Sequence, residues 1–282
     1  MTDDTFLQNL TGVEDLLWVV TRPTGMAQYD FRFEDFFACR HPVRLEERIR
    51  AVARMGAVED YEQRYRAFAA EGIDLVHTPS EYSITSHLPH WYPLISDLTP
   101  RSQWFDRRPT VDQIESQFPW PVFIKGERQT SRHQKSLSIV EGRDQFEQVM
   151  DLWESDPILR WQRIVVREFL PLRLVGIQSS TTLPKAFEFR TFWWKQRCVG
   201  FGPYWIGEHY TCTAEEKSSA IALAREAARR LDVTFLVVDV AQIQNGSWTV
   251  IEVNDGQDSG YAGVNPLAMW RGVLEQLIAD RN

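Results

Sequence analysis

The sequence predicts an α+β fold with two or three lobes. The chain has 282 residues, of which 43% are hydrophobic and 25% are charged, an ordinary globular composition for a chain that can bury a large core. Over roughly the first hundred residues, apolar runs alternate with helical patterns, which is typical of a small α/β lobe. Near the other end of the sequence, two apolar runs flank Asn245-Gly246, the strongest short signal for an antiparallel hairpin.

Composition argues against several classes of protein. The net charge of −8 argues against a broad basic surface for duplex nucleic acid, although a local basic groove is not excluded. Cys39, Cys198 and Cys212 are widely spaced and odd in number, which supports neither a disulfide framework nor a zinc site. The acidic first ten residues lack the features of a signal peptide, and no apolar run approaches the roughly 18 residues of a membrane span. We therefore expect a cytoplasmic protein with no membrane segment.

The N-terminal lobe is predicted from short strands and helices in alternation. Residues 16–20 and 73–76 are apolar runs that indicate strands. Apolar residues at helical spacing between them predict two helices, the second with Gly72 as its C-cap. These residues are Leu45, Ile49, Val52 and Met55 in the first helix and Tyr61, Tyr65 and Phe68 in the second.

Residues 78–100 have the composition of a connecting loop. Within it, His87 and His90 are interpreted either as substrate contacts or as structural residues. Beyond the loop, Thr110 and Gln113 form a predicted capping box that begins a short helix.

A lysine lies near the end of the next predicted strand, residues 120–126. Lys125 there can point into a cleft and contact phosphate, and the alternative is a surface lysine. No glycine lies between Gly126 and Gly142, so a backbone cradle of the P-loop kind is not available. Any grip on phosphate by residues 127–135 therefore depends on side chains, and the alternative is an exposed polar turn. The candidate side chains are Thr130, Ser131, Arg132, His133 and Lys135.

Because side chains alternate between the two faces of a strand, the spacing of the charged residues in the next strands predicts which of them share a face. Two such strands are predicted at residues 163–169 and 186–194. In the first, Arg167 and Glu168 point to opposite faces, and in the second, Glu188 and Arg190 share a face. Three predicted helices accompany these strands, and they begin near Asp144, at the capping box of Thr213 and Glu216, and at Asn265-Pro266.

A two-residue turn at Asn245-Gly246 defines the predicted register of the hairpin. Asp239 then faces Glu252 directly, and Asn254 lies diagonal to Asp239 on the same face. The same register pairs Gln244 with Ser247 and Ala241 with Val250. The opposite face is apolar and is expected to be buried, and it consists of Val238, Val240, Ile251 and Val253.

Two carboxylates directly opposite each other in a sheet repel unless a cation lies between them. Asp239, Glu252 and Asn254 offer hard oxygen ligands of the kind that Mg²⁺ takes together with water and phosphate oxygens. The polar loop of residues 255–260 follows directly. This combination favours a functional site over the alternative, a hairpin whose carboxylates merely face water.

In their order along the chain, these motifs resemble the ATP-grasp superfamily. The order is a strand with Lys125, a strand with Glu168, a strand with Arg190, then Asp239 and Glu252-x-Asn254. The resemblance covers about residues 118–260 and is closest to a divergent branch marked by two arginines and one lysine, here Arg167, Arg190 and Lys125. It implies an α+β ATP-grasp fold with a small N-terminal lobe (residues 1–110), a small ATP-grasp subdomain (111–175) and a C-terminal subdomain with the metal site (176–282).

The resemblance also implies a role for each residue of the motifs. Lys125 would contact the α- and β-phosphates of ATP, and Arg190 would meet the γ-phosphate or an acyl phosphate. The implied catalytic residues are Arg190, Lys125 and Arg167. The implied nucleotide-binding residues are Lys125, Lys135, Glu168, Phe169, Leu170, Glu188 and Arg190, with residues 168–170 as the hinge that recognises adenine. The implied Mg²⁺ ligands are Asp239, Glu252 and Asn254.

Members of the superfamily typically convert a carboxylate to an acyl phosphate, which an amine or another nucleophile attacks with release of ADP and phosphate. The resemblance therefore implies a ligase that depends on ATP and Mg²⁺ and joins a carboxylate to an amine on a small molecule, a peptide or a protein. Two alternatives are a nucleotide-binding assembly chaperone resembling the cell-division-cycle 123 family and a kinase-like enzyme that leaves a phosphorylated product. The glycine-poor loop after Lys125 departs from the family pattern and leaves the phosphate lid unassigned.

Overall fold

Three sheets organise the part of the chain that the computed structural model describes, residues 7–26, 29–56, 60–130 and 133–281. The first sheet has the spatial order β3-β1-β2-β4-β5, with β1 (Leu10–Val13), β2 (Leu17–Thr21), β3 (Cys39–Arg40), β4 (Ile49–Arg54) and β5 (Ile73–Leu75). Its strands β2, β4 and β5 run parallel, and α1 (Tyr61–Ala70) connects β4 to β5. The small α/β lobe predicted from the sequence is therefore present.

The first helix predicted in this lobe is wrong, because β4 occupies most of that segment. Ala51, Val52 and Ala53 are buried in β4, which lies between β2 and β5. A parallel strand covered on both faces is apolar at nearly every position, and such a short run cannot be told from a buried helix by periodicity. The second predicted helix is confirmed as α1, and Gly72 beyond its end has a φ of +81°.

Residues 79–95 are helical, so the loop predicted there is also wrong. Helix α2 (Pro79–Ser86) begins at a capping box formed by Thr78 and Glu81, and α3 (Leu88–Ile95) follows at once. A threonine three residues before a glutamate, with proline at the first helical position, was the signal available in the sequence.

The two histidines near these helices make contacts with other side chains of the protein. His90 Nδ1 lies 2.8 Å from Ser83 Oγ, and His87 Nδ1 lies 3.5 Å from Glu127 Oε1. These contacts favour the structural interpretation of both residues over substrate binding.

The second sheet carries Lys125. It has the order β6-β9-β7-β8, with β6 (Ser102–Phe105), β7 (Val122–Gly126), β8 (Ile139–Val140) and β9 (Ile164–Glu168). Helices α4 (Val111–Glu115) and α5 (Arg143–Ser155) pack on the face that holds Ile124 and Val166. Because side chains alternate, Lys125 and Arg167 point away from these helices. Only the short strand β8 returns along β7, and it follows a 3-10 turn at Lys135–Leu137.

The third sheet is antiparallel and has the order β11-β10-β12-β13. Its strands are β10 (Glu188–Trp194), β11 (Arg197–Pro203), β12 (Phe235–Gln242) and β13 (Trp248–Asp255). Helix α6 (Ala214–Leu231) packs with Val238 and Val240, whereas α7 (Pro266–Ala279) packs with Val237 on the opposite face. Both capped helix starts predicted from the sequence are confirmed.

The hairpin of β12 and β13 differs from its predicted register in two ways that cancel. Ile243 N donates to Ser247 O over 2.8 Å, so the turn has three residues and ends in Gly246 at φ +90°. The predicted pairs of Gln244 with Ser247 and of Ala241 with Val250 are therefore wrong, because Ala241 faces Thr249. A bulge at Ile251 then restores the original register, and Asp239 faces Glu252 as predicted.

The apolar face of the hairpin is buried at Val238, Val240 and Val253. Ile251 is only half-buried, contrary to the prediction, because it is the extra residue of the bulge.

Candidate active site

Two neighbouring cavities lie between the second and third sheets. One, the polar cavity, has a volume of about 560 Å³ and walls that combine charged, polar and aromatic side chains, and the other, the apolar cavity, has a volume of about 370 Å³ and mostly apolar walls. Residues that are neighbours in the sequence line different cavities. Ile251 and Trp205 line the apolar cavity, and Glu252 and Tyr204 line the polar cavity. The cavities therefore meet along β13 and beyond the end of β11.

The apolar cavity is formed around the chain segment that leaves β9. Glu168, Phe169 and Leu170, predicted as a hinge, all line it. The segment is held against the hairpin turn, because Gln244 N donates to Pro171 O over 2.9 Å. The remaining apolar walls are contributed by Phe123, Ile139, Leu172, Leu174, Leu183, Pro184, Ala186 and Ile251.

An ion pair between Lys125 and Glu252 connects the two sheets beside the polar cavity. The Lys125 side chain is 4% exposed and the Glu252 side chain is 23% exposed. Burial alone disfavours the charged carboxylate, but Lys125 and then Arg190 lower the pKa of Glu252 below its ordinary value. Glu252 is therefore ionised at neutral pH.

A second ion pair joins Arg190 to Asp239, which lie directly opposite each other in β10 and β12. Arg190 Nε donates to Asp239 Oδ1 over 2.9 Å, and Nη2 donates to Oδ2 over 2.7 Å. The third nitrogen of this guanidinium donates to Gly260 O over 2.8 Å, and Asn254 Nδ2 lies 3.3 Å from Asp239 Oδ2. A bidentate fork of this kind fixes both the position and the orientation of the arginine.

The sequence-based picture of two unneutralised carboxylates is therefore wrong. Asp239 and Glu252 do face each other, but each has its own cation. The cations come from β10, which lies beside β12, and from β7 in another sheet, and hairpin geometry alone could not reveal either.

Glu188 is a further buried carboxyl group at the junction of the cavities. It shares a face of β10 with Arg190, as predicted from the alternation of side chains, and it lines the apolar cavity. Burial and then the nearby Asp239 raise the pKa of Glu188 well above its ordinary value. This group therefore holds a proton to a higher pH than an exposed glutamate does.

Arg167 makes three hydrogen bonds within the protein. Its guanidinium donates to Thr99 Oγ1 at 2.6 Å, Ser102 Oγ at 3.0 Å and Ile251 O at 2.7 Å. Burial lowers the pKa of Arg167 to about 10. Arg167 also lines the apolar cavity, and its hydrogen bonds favour a role in positioning the bulge of β13.

Only some of the residues predicted to cover phosphate line the cavities. Thr130 and His133 line the polar cavity, whereas Lys135 lies in the 3-10 turn and lines neither cavity. Ser131 and Arg132 lie outside the described residues. Sequence reasoning missed Arg128 and Gln129, which also line the polar cavity although the polar composition of their loop had been noted.

Asp239, Glu252 and Asn254 are oxygen ligands of the type that Mg²⁺ takes, although in this structure both oxygens of Asp239 accept hydrogen bonds from Arg190 and Glu252 pairs with Lys125. Two carboxylates and one amide oxygen on neighbouring strands leave positions for water and phosphate oxygens. Among the described residues, no group of three His, Cys, Asp or Glu side chains is placed to hold a metal, and the third candidate here, Asn254, is an amide.

No helix in the described ranges is both long enough and apolar enough to cross a membrane.

The family assignment rests on the matched part of the chain. The sequence model of the ATP-grasp domain, R(2)K clade family 3, matches residues 109–273. The chain belongs to this ATP-grasp family. The α+β ATP-grasp fold expected from the order of the motifs is thereby confirmed. A comparison with curated proteins found no match.

Solved ATP-grasp structures share the fold at low identity. The RimK domain protein of Sphaerobacter thermophilus has 16% identity and a TM-score of 0.56, and the match covers 82% of this chain and 80% of that one. The D-alanine–D-alanine ligase of Bacillus anthracis, complexed with ATP, has 13% identity, a TM-score of 0.58 and coverages of 82% and 80%. The VanG D-Ala:D-Ser ligase of Enterococcus faecalis has 16% identity, a TM-score of 0.58 and coverages of 87% and 76%.

Proposed function

We propose that this ATP-grasp protein is an Mg²⁺- and ATP-dependent ligase that activates a carboxylate as an acyl phosphate and joins it to an amine, with release of ADP and phosphate. The observation that carries the proposal is the junction of an apolar and a polar cavity, where Arg190 and Glu252 line the polar cavity and Lys125 pairs with Glu252 from behind its wall. Ligases are named among the solved structures that share the fold, which supports the same reaction class.

The apolar cavity suits the adenine of ATP. Its 370 Å³ is lined mainly by aliphatic side chains, and residues 168–170 supply backbone groups at one wall. Glu168, Phe169 and Leu170 would recognise the base there. The triphosphate would then extend toward the polar cavity, in which the substrates would bind.

Lys125 and Arg190 would neutralise the phosphates at the junction. Phosphoryl transfer needs positioning and charge stabilisation more than covalent catalysis. Arg190 suits the transferred group because its fork to Asp239 holds the guanidinium rigid at the polar cavity. Asp239, Glu252 and Asn254 would hold Mg²⁺, which when bound adds positive charge at the phosphate oxygens.

The division into residues 1–110, 111–175 and 176–282 is part of the same proposal. The three sheets support it, although β6 from the first part pairs with β9 in the second. The proposal also includes the two arginines and one lysine that mark the related branch, Arg167, Arg190 and Lys125. Arg167 would act by positioning the bulge of β13, to which it donates a hydrogen bond at Ile251 O.

Trapping with hydroxylamine tests the proposal. The purified protein, ATP and Mg²⁺ are mixed with hydroxylamine and with each of the twenty proteinogenic amino acids or a simple dicarboxylate as the carboxylate. An acyl phosphate converts to a hydroxamate, so we expect hydroxamate and an equal amount of ADP with at least one carboxylate. Arg190→Lys keeps the charge but loses the planar fork, and should reduce the rate roughly a hundredfold or more.

Other outcomes would identify the alternatives. A stable phosphorylated product without hydroxamate would contradict ligation and indicate a kinase-like enzyme. Binding of ATP with no ADP release on addition of any carboxylate would contradict an enzyme and indicate a nucleotide-binding chaperone.

A further inference from the structure

Asp258 is a carboxylate of the polar cavity that the proposed chemistry does not use. It lies in the loop after β13 and lines the cavity near Tyr29, Tyr82, Ser86 and Arg128. Within residues 7–26, 29–56, 60–130 and 133–281, the structure contains no hydrogen bond or ion pair to its side chain. The cavity therefore presents a carboxylate that a ligand can reach.

The other carboxylates of this cavity have partners. Glu252 pairs with Lys125. Asp255 Oδ1 accepts a hydrogen bond from Gln257 N over 2.7 Å and lies 3.1 Å from His77 Nδ1. Glu252 and Asp255 therefore already have partners within the empty protein, whereas Asp258 has none among the described residues.

The loop that carries Asp258 is held from the first sheet by Arg54. Arg54 Nη1 donates to the carbonyl oxygens of Gly256 at 3.2 Å, Gln257 at 2.6 Å and Ser259 at 2.8 Å. The backbone amide of Ala53 also donates to Gln257 Oε1 over 3.1 Å. Arg54 is buried, so these bonds fix the loop in a place where water competes poorly. Asp258 is therefore held in a defined position at the cavity wall.

Aromatic side chains line the same cavity. Tyr82 stacks on Tyr61 with ring centroids 3.9 Å apart, and its hydroxyl accepts a hydrogen bond from Arg128 Nη2 over 2.8 Å. Trp161 also lines the cavity and is 56% exposed. The Arg128 guanidinium already lies over the rings of Tyr82 and Trp161, at 6.0 and 5.9 Å. An ammonium group in this cavity would therefore be stabilised mainly by a carboxylate, through a charge-assisted hydrogen bond.

We propose that Asp258 binds the ammonium group of the acceptor, so that the second substrate is a primary amine that enters the polar cavity as a cation. This inference rests on the proposed ligase function, since it assigns the amine of that reaction to a place in the cavity. Burial and then Asp255 raise the pKa of the Asp258 carboxyl well above its ordinary value, and a bound ammonium would reverse this by pairing with the charged form.

The test measures amine binding in the presence of ADP and Mg²⁺. The probes are the twenty proteinogenic amino acids and putrescine, each beside its N-acetylated counterpart, and the readout is the melting temperature as a function of probe concentration. We expect at least one free amine, but not its N-acetyl form, to raise the melting temperature of the wild type. Asp258→Asn and Asp258→Ser should each weaken this binding roughly tenfold or more. The control Asp106→Asn, at a surface pair with Arg163, should bind the amine as the wild type does.

Two results would overturn the inference: no free amine stabilises the wild type, or both Asp258 variants bind the amine as tightly as the wild type. Failure of the ligase proposal would give a different result, because the wild type would then form no hydroxamate with hydroxylamine. Hydroxamate formation with amine binding that does not depend on Asp258 overturns only the amine site. Amine binding that depends on Asp258, without hydroxamate, overturns the ligase and the acceptor role of the amine, and leaves Asp258 as an ammonium-binding residue.

Discussion

Lys125 and Glu252 form an ion pair between two different sheets. Lys125 belongs to β7, and Glu252 belongs to β13, 127 residues further along the chain. The pair lies beside the polar cavity, close to where the two cavities meet. Removing one partner of a buried pair leaves the other charge poorly solvated, so this contact links the stability of the empty protein to its nucleotide site.

Lys125→Met should weaken nucleotide binding and also destabilise the empty protein. Breaking a buried pair typically costs about 3–5 kcal/mol, and we expect the lower end because Glu252 retains 23% exposure. Urea unfolding in chelator measures the stability, and calorimetry measures ADP binding. Lys195→Met, which breaks a surface pair with Asp280, should change stability by less than about 1 kcal/mol and leave ADP binding intact. Wild-type ADP affinity in Lys125→Met would exclude Lys125 from the nucleotide site.

Asp239→Asn should destabilise the protein in the absence of metal. The hairpin alone predicted the opposite, because removing one of two facing carboxylates relieves repulsion. In the structure, Asp239 is 1% exposed and accepts both bonds of the Arg190 fork, so its loss leaves a buried guanidinium without its counterion. We expect a loss of about 3–5 kcal/mol in urea unfolding, with Asp280→Asn as the surface control. An unchanged unfolding midpoint would mean that the fork to Arg190 does not form.

Glu188→Gln should stabilise the empty protein at neutral pH. Burial and Asp239 raise the pKa of Glu188 in the folded state, so the folded state binds this proton more tightly than the unfolded state does. Wild-type stability should then fall as the pH rises from about 4.3, the ordinary glutamate value, through the raised pKa. Urea unfolding in chelator between about pH 4 and pH 8 should show the variant gaining on the wild type as the pH rises. A difference that shrinks with rising pH would contradict this assignment.

Leu183→Trp should block the apolar cavity without unfolding the protein. Leu183 is half-buried at the wall of the 370 Å³ cavity, and an indole there would occupy space that the adenine requires. We expect at least a tenfold loss of affinity for both ADP and adenosine in calorimetry, with little change in melting temperature. The control is Leu152→Trp on α5, where the leucine is 53% exposed. Unimpaired adenosine binding would place the base elsewhere.

Local sequence patterns were sufficient to predict those helices and turns whose signals lie within a few residues of each other. The capping box of Thr213 and Glu216 and the cap at Asn265-Pro266 were both recognised, because a helix start depends on neighbouring residues. The same reasoning failed at β4, whose burial on both faces is decided by strands distant in the sequence.

At the candidate site, too, the local features followed from the sequence and the distant contacts did not. The sequence by itself determined that β12 and β13 form an antiparallel hairpin, since a hairpin is a local structure, whereas the facing of Asp239 and Glu252 depends on the bulge at Ile251, which offsets the longer turn. Only the tertiary structure decided which cation each carboxylate meets, that Arg167 bonds within the protein, and that Arg54 holds the loop of Asp258. These contacts join residues that are up to about two hundred positions apart, and no local periodicity encodes which distant side chains share a buried interface.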